Sequence, residues 1–168
     1  RRWITTLNDL DDSSAERVAR GRTFARRGRV QDLWFSPGLA AAVVADGDEE
    51  HHVSVRVRIF EPSEWDIVVD TLVEDLQRVA GIIEGSVPRS LVTALARSGL
   101  NLVPSTAELD GDCDCGDYRV PCVHTAAVHH LLADALDGDA FLLFTLRGYN
   151  REELVERLRA HWGAPSAA

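Results

Sequence analysis

The chain has 168 residues, 45% of them hydrophobic, which is enough to bury one ordinary core. Its formal net charge of −9 and sequence pI near 5.1 are not typical of a nucleic-acid-binding protein. The charge is uneven, because residues 1–30 hold eight arginines and four acidic residues, whereas the remainder holds ten arginines and 23 acidic residues. No apolar run approaches the ~20 residues that a membrane span needs, so no membrane association is expected.

A basic helix is predicted near the amino terminus. It begins at the polar stretch Ser13–Glu16 and ends at Gly28, with Val18 and Phe24 on a narrow apolar side. The arginines of this region are Arg17, Arg20, Arg22, Arg26, Arg27 and Arg29. Such a run can bind phosphate oxygens or dock on an acidic partner, or it can be a solvated face that pairs with the protein's own acidic body. These interpretations remain open.

Three strands are predicted next, as an antiparallel meander with one buried face. The first two are Arg29–Phe35 and Leu39–Ala45, with Leu33 and Phe35 on one face of the first. In the third, Val53, Val55, Val57 and Ile59 alternate with Ser54, Arg56 and Arg58, which places the two arginines on the open face. His51 and His52 precede this run and are interpreted as polar surface rather than as metal ligands.

Two helices are expected after the meander. Ser63 and Asp66 are predicted to cap the first one, and Pro88 opens a shorter one. The apolar face of the first helix is predicted to pack on the sheet and comprises Trp65, Val68, Val69, Leu72, Leu76 and Val79. Stacking of Trp65 on a base is the functional alternative, but the place of Trp65 on this apolar face favours packing.

The clearest chemical signal is the motif Cys113-x-Cys115, six residues, then Cys122-x-His124, which holds all three cysteines of the chain. Three thiolates and one imidazole are typical of a tetrahedral zinc site, and four protein ligands leave no open position for catalysis. A disulfide would leave one cysteine unpaired and strain a Cys-x-Cys ring, and a redox pair usually has Cys-x-x-Cys spacing. Chance clustering is the remaining alternative.

The segments around the motif are also predicted. Thr106–Asp112 is expected to be a strand with Tyr118–Val120 as its hairpin partner, and a helix is expected over Cys122–Leu136. His124 shares the core-facing side of that helix with Ala127, Val128, Leu131 and Ala135, whereas His129 and His130 do not lie on it and are expected not to be ligands.

This four-ligand motif resembles the SWIM zinc-finger pattern Cys-x-Cys-xn-Cys-x-His. The region Arg29–Val44, together with residues 21–28 before it, also resembles a stretch of bacterial SWIM-finger proteins, in which a basic helix leads into a strand beginning Gly-Arg-Val. The resemblance spans most of residues 20–160, and only the four-ligand motif is specific. It implies a role in DNA or chromatin-type transactions, with a Snf2-type helicase as companion.

The predicted fold class is α+β, with an antiparallel β-meander packed with helices and a zinc-stapled SWIM hairpin and helix. The segments are a basic helical arm (1–28), an α+β body (29–104), a SWIM zinc finger (105–137), C-terminal helices (138–163) and a loose tail (164–168). In the C-terminal part, Phe141, Leu142, Leu143 and Phe144 of the apolar segment Ala140–Leu146 are expected in the core, with a partner-facing patch as the alternative. Asn150 and Glu153 are expected to cap a final helix that carries Leu154, Leu158 and Trp162.

No catalytic constellation is visible, since the chain lacks a Gly-x4-Gly-Lys phosphate loop and zinc would use every thiol. We therefore expect a protein that is not an enzyme, with one structural zinc and no small-molecule substrate. Its location is expected to be cytoplasmic, where thiols stay reduced, with nucleoid association left open. One hypothesis is an accessory module of a DNA-transaction complex, whose arginines contact phosphates without sequence preference. The alternative is a protein-interaction adaptor that does not bind nucleic acid.

Overall fold

A computed structural model describes residues 3–4 and 12–163 of the chain and confirms the α+β class. Within residues 12–163 the helices are α1 (Asp12–Arg26), α2 (Pro62–Val73), α3 (Leu76–Ile83), α4 (Arg89–Arg97), α5 (Val123–Gly138), α6 (Leu142–Arg147) and α7 (Arg151–Gly163). The strands are β1 (Val30–Ser36), β2 (Leu39–Asp46), β3 (Glu49–Val57) and β4 (Leu109–Cys113), which form one antiparallel sheet in that order. The predicted loose tail and residues 1–2 and 5–11 of the predicted arm lie outside the described residues.

The predicted meander is confirmed, but its third strand lies earlier in the chain than expected. Strand β3 ends at Val57, so Ile59 lies beyond it and is 50% exposed. The strand begins at Glu49 and therefore contains His51 and His52. The two-residue alternation does place Val53, Val55 and Val57 on the buried face.

The predicted hairpin between Thr106–Asp112 and Tyr118–Val120 is wrong. Thr106–Glu108 is a 3-10 turn, and β4 pairs with the free edge of β3 instead. Tyr118 is 98% exposed, and the Asp117 carboxylate accepts a hydrogen bond from the Arg119 backbone N–H at 3.1 Å. Local bonds of this kind compete with strand pairing, so this segment is a loop.

The buried residues form two main cores. One lies between the sheet and α5, where Val128, Leu132 and Ala133 pack on the inward residues of β2 and β3. The other is made by helices α2, α3, α4 and α7 together with Phe141 and Phe144. Phe141 and Phe144 are therefore core residues, as predicted.

The expectation that the Trp65 face packs on the sheet is wrong, because Trp65 lies in the helical core and stacks on Tyr149 with ring centroids 4.2 Å apart. The expected helix is also split in two. Asp75 caps α3 by accepting from the Gln77 backbone N–H, and Leu76 is left 74% exposed. The start of α2 differs too, since Pro62 occupies its first turn and Glu61 and Glu64 form the capping box instead of Ser63 and Asp66.

The cap of the last helix is confirmed. The Asn150 side chain accepts from the Glu153 backbone N–H, and the Glu153 carboxylate accepts from the Asn150 backbone N–H, each at 2.9 Å. Leu154 and Leu158 are buried as predicted, whereas Trp162 is 51% exposed.

Helix α1, the described part of the predicted arm, packs tightly against α5. A Cβ added at Gly21 would lie 2.6 Å from the Ala126 Cβ, so the two helices approach closely at this point. The His130 ring lies 2.8 Å from the Val18 carbonyl oxygen, which links the same pair of helices. Helix α5 therefore lies between α1 on one side and the sheet on the other.

Arg147 of α6 is a buried cation at the junction between the two cores. Its guanidinium donates to the Glu108 carboxylate at 2.8 Å and to the carbonyl oxygens of Arg58 and Leu102. Glu108 also accepts from the Arg58 side chain. These bonds fix the chain immediately before β4.

Among residues 3–4 and 12–163, no helix is both long and apolar enough to cross a membrane.

Candidate metal centre

The structure brings all four predicted ligands together where β4 meets the start of α5. Cys113 is the last residue of β4, and Cys115 follows next to Gly116, whose φ of +74° makes the tight turn. Cys122 is the N-cap of α5, and His124 lies in its first turn. The three sulfurs and a ring nitrogen of His124 lie within 4.8 Å of one another.

The spacing and chemistry of this group fit a metal ion. Cys113 Sγ lies 3.8 Å from His124 Nδ1, and a tetrahedral ion with ordinary sulfur and nitrogen bond lengths would require about 3.6 Å. Cys122 Sγ accepts from the Thr125 backbone N–H at 3.3 Å, a bond that holds this sulfur at the N-terminus of α5. The segment of residues 113–124, here called the Cys/His loop, therefore brings together four side chains that could hold a metal ion.

Without a nearby cation, the sulfurs of this group cannot all be charged. Burial raises the pKa of Cys113, and the neighbouring Cys122 and Cys115 sulfurs raise it further. Several sulfurs in a half-buried cluster cannot all carry charge unless a positive ion compensates them. A bound metal ion supplies that compensation and keeps the ligands as thiolates.

The second ring nitrogen of His124 faces a carboxylate. Nε2 lies 3.2 Å from Asp46 Oδ2, while Nδ1 is the nitrogen that faces Cys113. Because a carboxylate accepts, this geometry fits the tautomer that carries its proton on Nε2 and directs the Nδ1 lone pair at the cysteines. Asp46 is the last residue of β2 and also pairs with Arg29 at 3.1 Å.

His51 lies beside the centre, and its interpretation as polar surface is wrong. Its side chain is 13% exposed and stacks on the His124 ring with centroids 4.3 Å apart. Asp46, His51 and His124 form a second group whose ligand atoms lie within 4.8 Å of one another. The signal was present in the sequence, because His51 continues the alternation of Val53 and Val55 onto the buried face of β3.

The expectation holds for His52, which points to the other face and is 77% exposed. The backbone N–H of His52 donates to the Asp114 carboxylate at 3.1 Å, and this bond lowers the pKa of Asp114. Asp114 lies between two predicted ligands, so the bond fixes the Cys/His loop to β3. His129 is buried and accepts from Trp3 Nε1 at 2.9 Å, and it is absent from the metal-binding groups among the described residues, as is His130.

The predicted binding arginines differ in their exposure. Arg20, Arg22, Arg26 and Arg27 are exposed on α1 or just after it, and Arg56 is exposed 3.7 Å from Asp110. Arg17 is buried and donates to the Pro121 carbonyl oxygen at 2.8 Å, immediately before Cys122. The guanidinium of Arg58 is held by the carboxylates of Glu64 and Glu108.

The exposed arginines of α1 have acidic neighbours. Arg22 and Arg26 line a groove of ≈ 480 Å³ together with Asp134 and Asp137 of α5. This groove therefore joins the basic helix to the acidic body of the protein, which is the arrangement expected if the two partly neutralise each other.

The fold and the site define an α+β protein with a closed group of three cysteines and one histidine that can hold a metal ion. The chain is 39% identical over 172 aligned positions to the uncharacterized protein Rv2102 of Mycobacterium tuberculosis (strain ATCC 25618 / H37Rv), with 99% of this chain covered. It spans 61% of the length of that relative. No family model and no solved structure matches the chain.

Proposed function

We propose that this chain is a structural-zinc protein of the SWIM type that acts as an accessory module in a DNA-transaction complex, with a Snf2-type helicase or ATPase as partner. The observation that carries the proposal is the convergence of Cys113, Cys115, Cys122 and His124 within 4.8 Å. Three thiolates with one imidazole are a donor set that selects zinc over harder divalent ions. Four protein ligands close the coordination sphere, which favours a structural role and no enzymatic activity.

The zinc would join the end of β4 to the first turn of α5. Helix α5 contacts both α1 and the sheet, so the fixed position of its N-terminus determines where the basic helix lies. Arg17 supports the same junction through its bond to the Pro121 carbonyl. The metal ion would thus fix the position of the surface that α1 presents.

The surface that would contact DNA consists of Arg20, Arg22, Arg26 and Arg27. Guanidinium groups on one exposed helix bind phosphate oxygens without reading bases, so affinity would fall steeply with salt and vary little with sequence. Arg17 and Arg58 are bonded within the protein and are not part of this surface.

The second candidate is an adaptor that binds only protein. It is favoured by the groove in which Asp134 and Asp137 flank Arg22 and Arg26, because these carboxylates weaken phosphate binding. The Cys/His loop also carries Asp114 and Asp117, which repel a nucleic acid.

A salt-series titration separates the two candidates. Zinc-loaded protein is titrated against fluorescent duplex and single-stranded DNA between about 50 and 200 mM salt, beside the triple variant R22E/R26E/R27E. The matched control is R89E/R97E/R159E, which reverses three exposed arginines elsewhere and changes the net charge equally. Zinc content is measured for each protein.

Binding that falls linearly in log salt, and is lost only in the α1 variant, supports direct DNA contact. Equal loss in both variants, or no binding at low salt, removes that contact and leaves the adaptor. Calorimetric titration with a purified Snf2-type ATPase then tests the proposed partner directly. Protein that is purified under reducing conditions, contains no zinc and is still folded would contradict the proposed structural zinc.

A further inference from the structure

The face of the sheet turned away from α5, here called the outer face, is open to solvent. Strand register places Trp34, Ala41, Ser54 and Asp112 side by side in one row that crosses all four strands. Trp34 is 50% exposed, and Asp112 is also exposed. Ala41 and Ser54 are small, so the middle of the row is lower than its two ends.

The two halves of the outer face differ in chemistry. Strand β4 alternates so that Asp110 and Asp112 lie on the outer face while Gly111 and Cys113 face α5, and Asp114 follows the strand beside His52. On β2 the outer residues of the same rows are Leu39, Ala41 and Val43. One half is therefore apolar, with Trp34 beside it, and the other half is acidic.

A shallow cleft of ≈ 330 Å³ lies on this face, and it is acidic at both ends. Asp32 lies at the β1 end, where the register shifts between Gln31 and Trp34 and Asp32 has φ of +50°. Asp112 lies at the β4 end, and Val43 of β2 and Ser54 of β3 line the cleft between the two edge strands. Arg56, the cation that the register places on the outer face within residues 30–113, lies beside Asp110 rather than in the cleft.

The dimensions of the face match one helix. Strands lie ~4.8 Å apart, so the four strands are about 14 Å across, and an α-helix with its side chains is about 10–12 Å wide. A helix that lies over Ala41 and Ser54, along the direction of β2 and β3, would place one side against Trp34 and the other against the carboxylates of β4. Only a helix with an apolar stripe and adjacent cations satisfies both halves.

We infer that the outer face binds a basic amphipathic helix of a partner protein. Its apolar residues contact Trp34, Ala41 and Val43, and its arginines or lysines pair with Asp32 and Asp112. A cation near Trp34 gains further from the ring face. This surface is distinct from the exposed arginines of α1, so the inference goes beyond the proposed function and does not require DNA binding.

The test uses a fluorescent helical peptide of ~18 leucine and arginine residues with an amphipathic pattern, titrated by anisotropy into the full zinc-loaded chain. A scrambled peptide of the same composition and an amphipathic leucine–glutamate peptide are the controls. The protein variants are Trp34→Ala and the pair D32N/D112N, in which Asn tolerates the positive φ at position 32. The matched control E152Q/E156Q removes two exposed carboxylates from α7. Melting curves confirm that each variant is folded.

The expected result is that Trp34→Ala and D32N/D112N each raise the Kd for the amphipathic basic peptide about tenfold or more, whereas E152Q/E156Q changes it by less than about twofold. Three outcomes would overturn the inference: no binding, equal binding of the scrambled or leucine–glutamate peptide, or equal loss in both charge variants. It is also overturned if Trp34→Ala weakens binding of duplex DNA, or abolishes a dimer of this chain, while the peptide does not bind.

Discussion

The carboxylate of Asp46 lies 3.2 Å from Nε2 of His124, although 78 positions separate the two residues in the chain. Nδ1 of the same ring faces Cys113 at 3.8 Å. The end of β2 therefore orients a candidate metal ligand that α5 carries. This bond connects the sheet to the Cys/His loop at a point where neither the motif nor its spacing indicates a contact.

Replacement of Asp46 by Ala should weaken zinc binding about 10- to 100-fold, because the His124 ring loses the acceptor that fixes its tautomer and orientation. Asp46→Asn should recover part of this loss, since its side-chain oxygen can still accept from Nε2. Zinc affinity is measured by competition with a chromophoric chelator. Asp48→Ala, an exposed aspartate in the adjacent turn, is the control, and equal affinities for Asp46→Ala and wild type would show that Asp46 does not position the ligand.

Removal of the proposed zinc ion should destabilise the protein. At free zinc about 1,000-fold above its Kd, binding contributes ~4 kcal/mol of unfolding free energy, which corresponds to a shift in Tm of roughly 8–16 °C for a chain of this size. Differential scanning calorimetry with and without a chelator measures this shift. His124→Ala and Cys122→Ala should behave like the chelated protein, whereas His52→Ala should keep its zinc because His52 is 77% exposed and lies outside the metal-binding groups of the described residues. A ligand variant that melts like wild type would contradict a structural role.

The pair Arg147 and Glu108 should stabilise the fold near neutral pH. Replacement of Glu108 by Gln leaves the Arg147 guanidinium, whose side chain is 1% exposed, without its charge partner. The expected cost is about 3 kcal/mol of unfolding free energy, reduced where the backbone carbonyls still accept from Arg147. Urea unfolding measures it, with Glu84→Gln as an exposed control.

The same pair should make stability depend on pH. Burial alone would raise the pKa of Glu108, but hydrogen bonds from the Arg147 side chain and the Ser105 backbone outweigh it and lower the pKa to about 2, against an ordinary value of 4.5. A depressed carboxyl pKa stabilises the folded state above the unfolded pKa, and this stabilisation is lost as the pH falls from 4.5 towards about 2. The difference between wild type and Glu108→Gln should therefore be constant above pH 5 or so and should shrink below it. A difference that does not change in acid would mean that the charge of Glu108 contributes nothing.

Gly21→Ala should destabilise the protein by roughly 1–3 kcal/mol, although Ala is normally the better residue in a helix. The added Cβ would lie 2.6 Å from the Ala126 Cβ and 2.7 Å from the Ala127 backbone nitrogen, so α1 and α5 would have to separate. Gly138→Ala is the matched control, since its Cβ meets nothing within 4 Å and should be neutral or stabilising by up to ~1 kcal/mol. Thermal melts compare the two variants, and equal melting temperatures would contradict the close packing of α1 on α5.

Sequence alone predicted the features that depend on residues close together in the chain. The four candidate metal ligands follow from the spacing of Cys113 to His124, and the start of α5 follows from the apolar period that begins there. The cap formed by Asn150 and Glu153 and the alternation in β3 are equally local. Each depends on interactions between residues that are close together in the chain, so the local amino-acid pattern is sufficient to predict it.

Only the tertiary structure decided which of these elements meet. Strand β4 pairs with the edge of β3, whereas the sequence predicted a hairpin between Thr106–Asp112 and Tyr118–Val120. The Trp65 face packs on other helices rather than on the sheet. Asp46 and His51 lie next to His124 because the register of β2 and β3 aligns them and α5, far along the chain, packs against these strands. Pairing and packing of this kind depend on the total surface that distant segments bury against one another. The pattern of residues within one segment does not specify which distant segment it will contact.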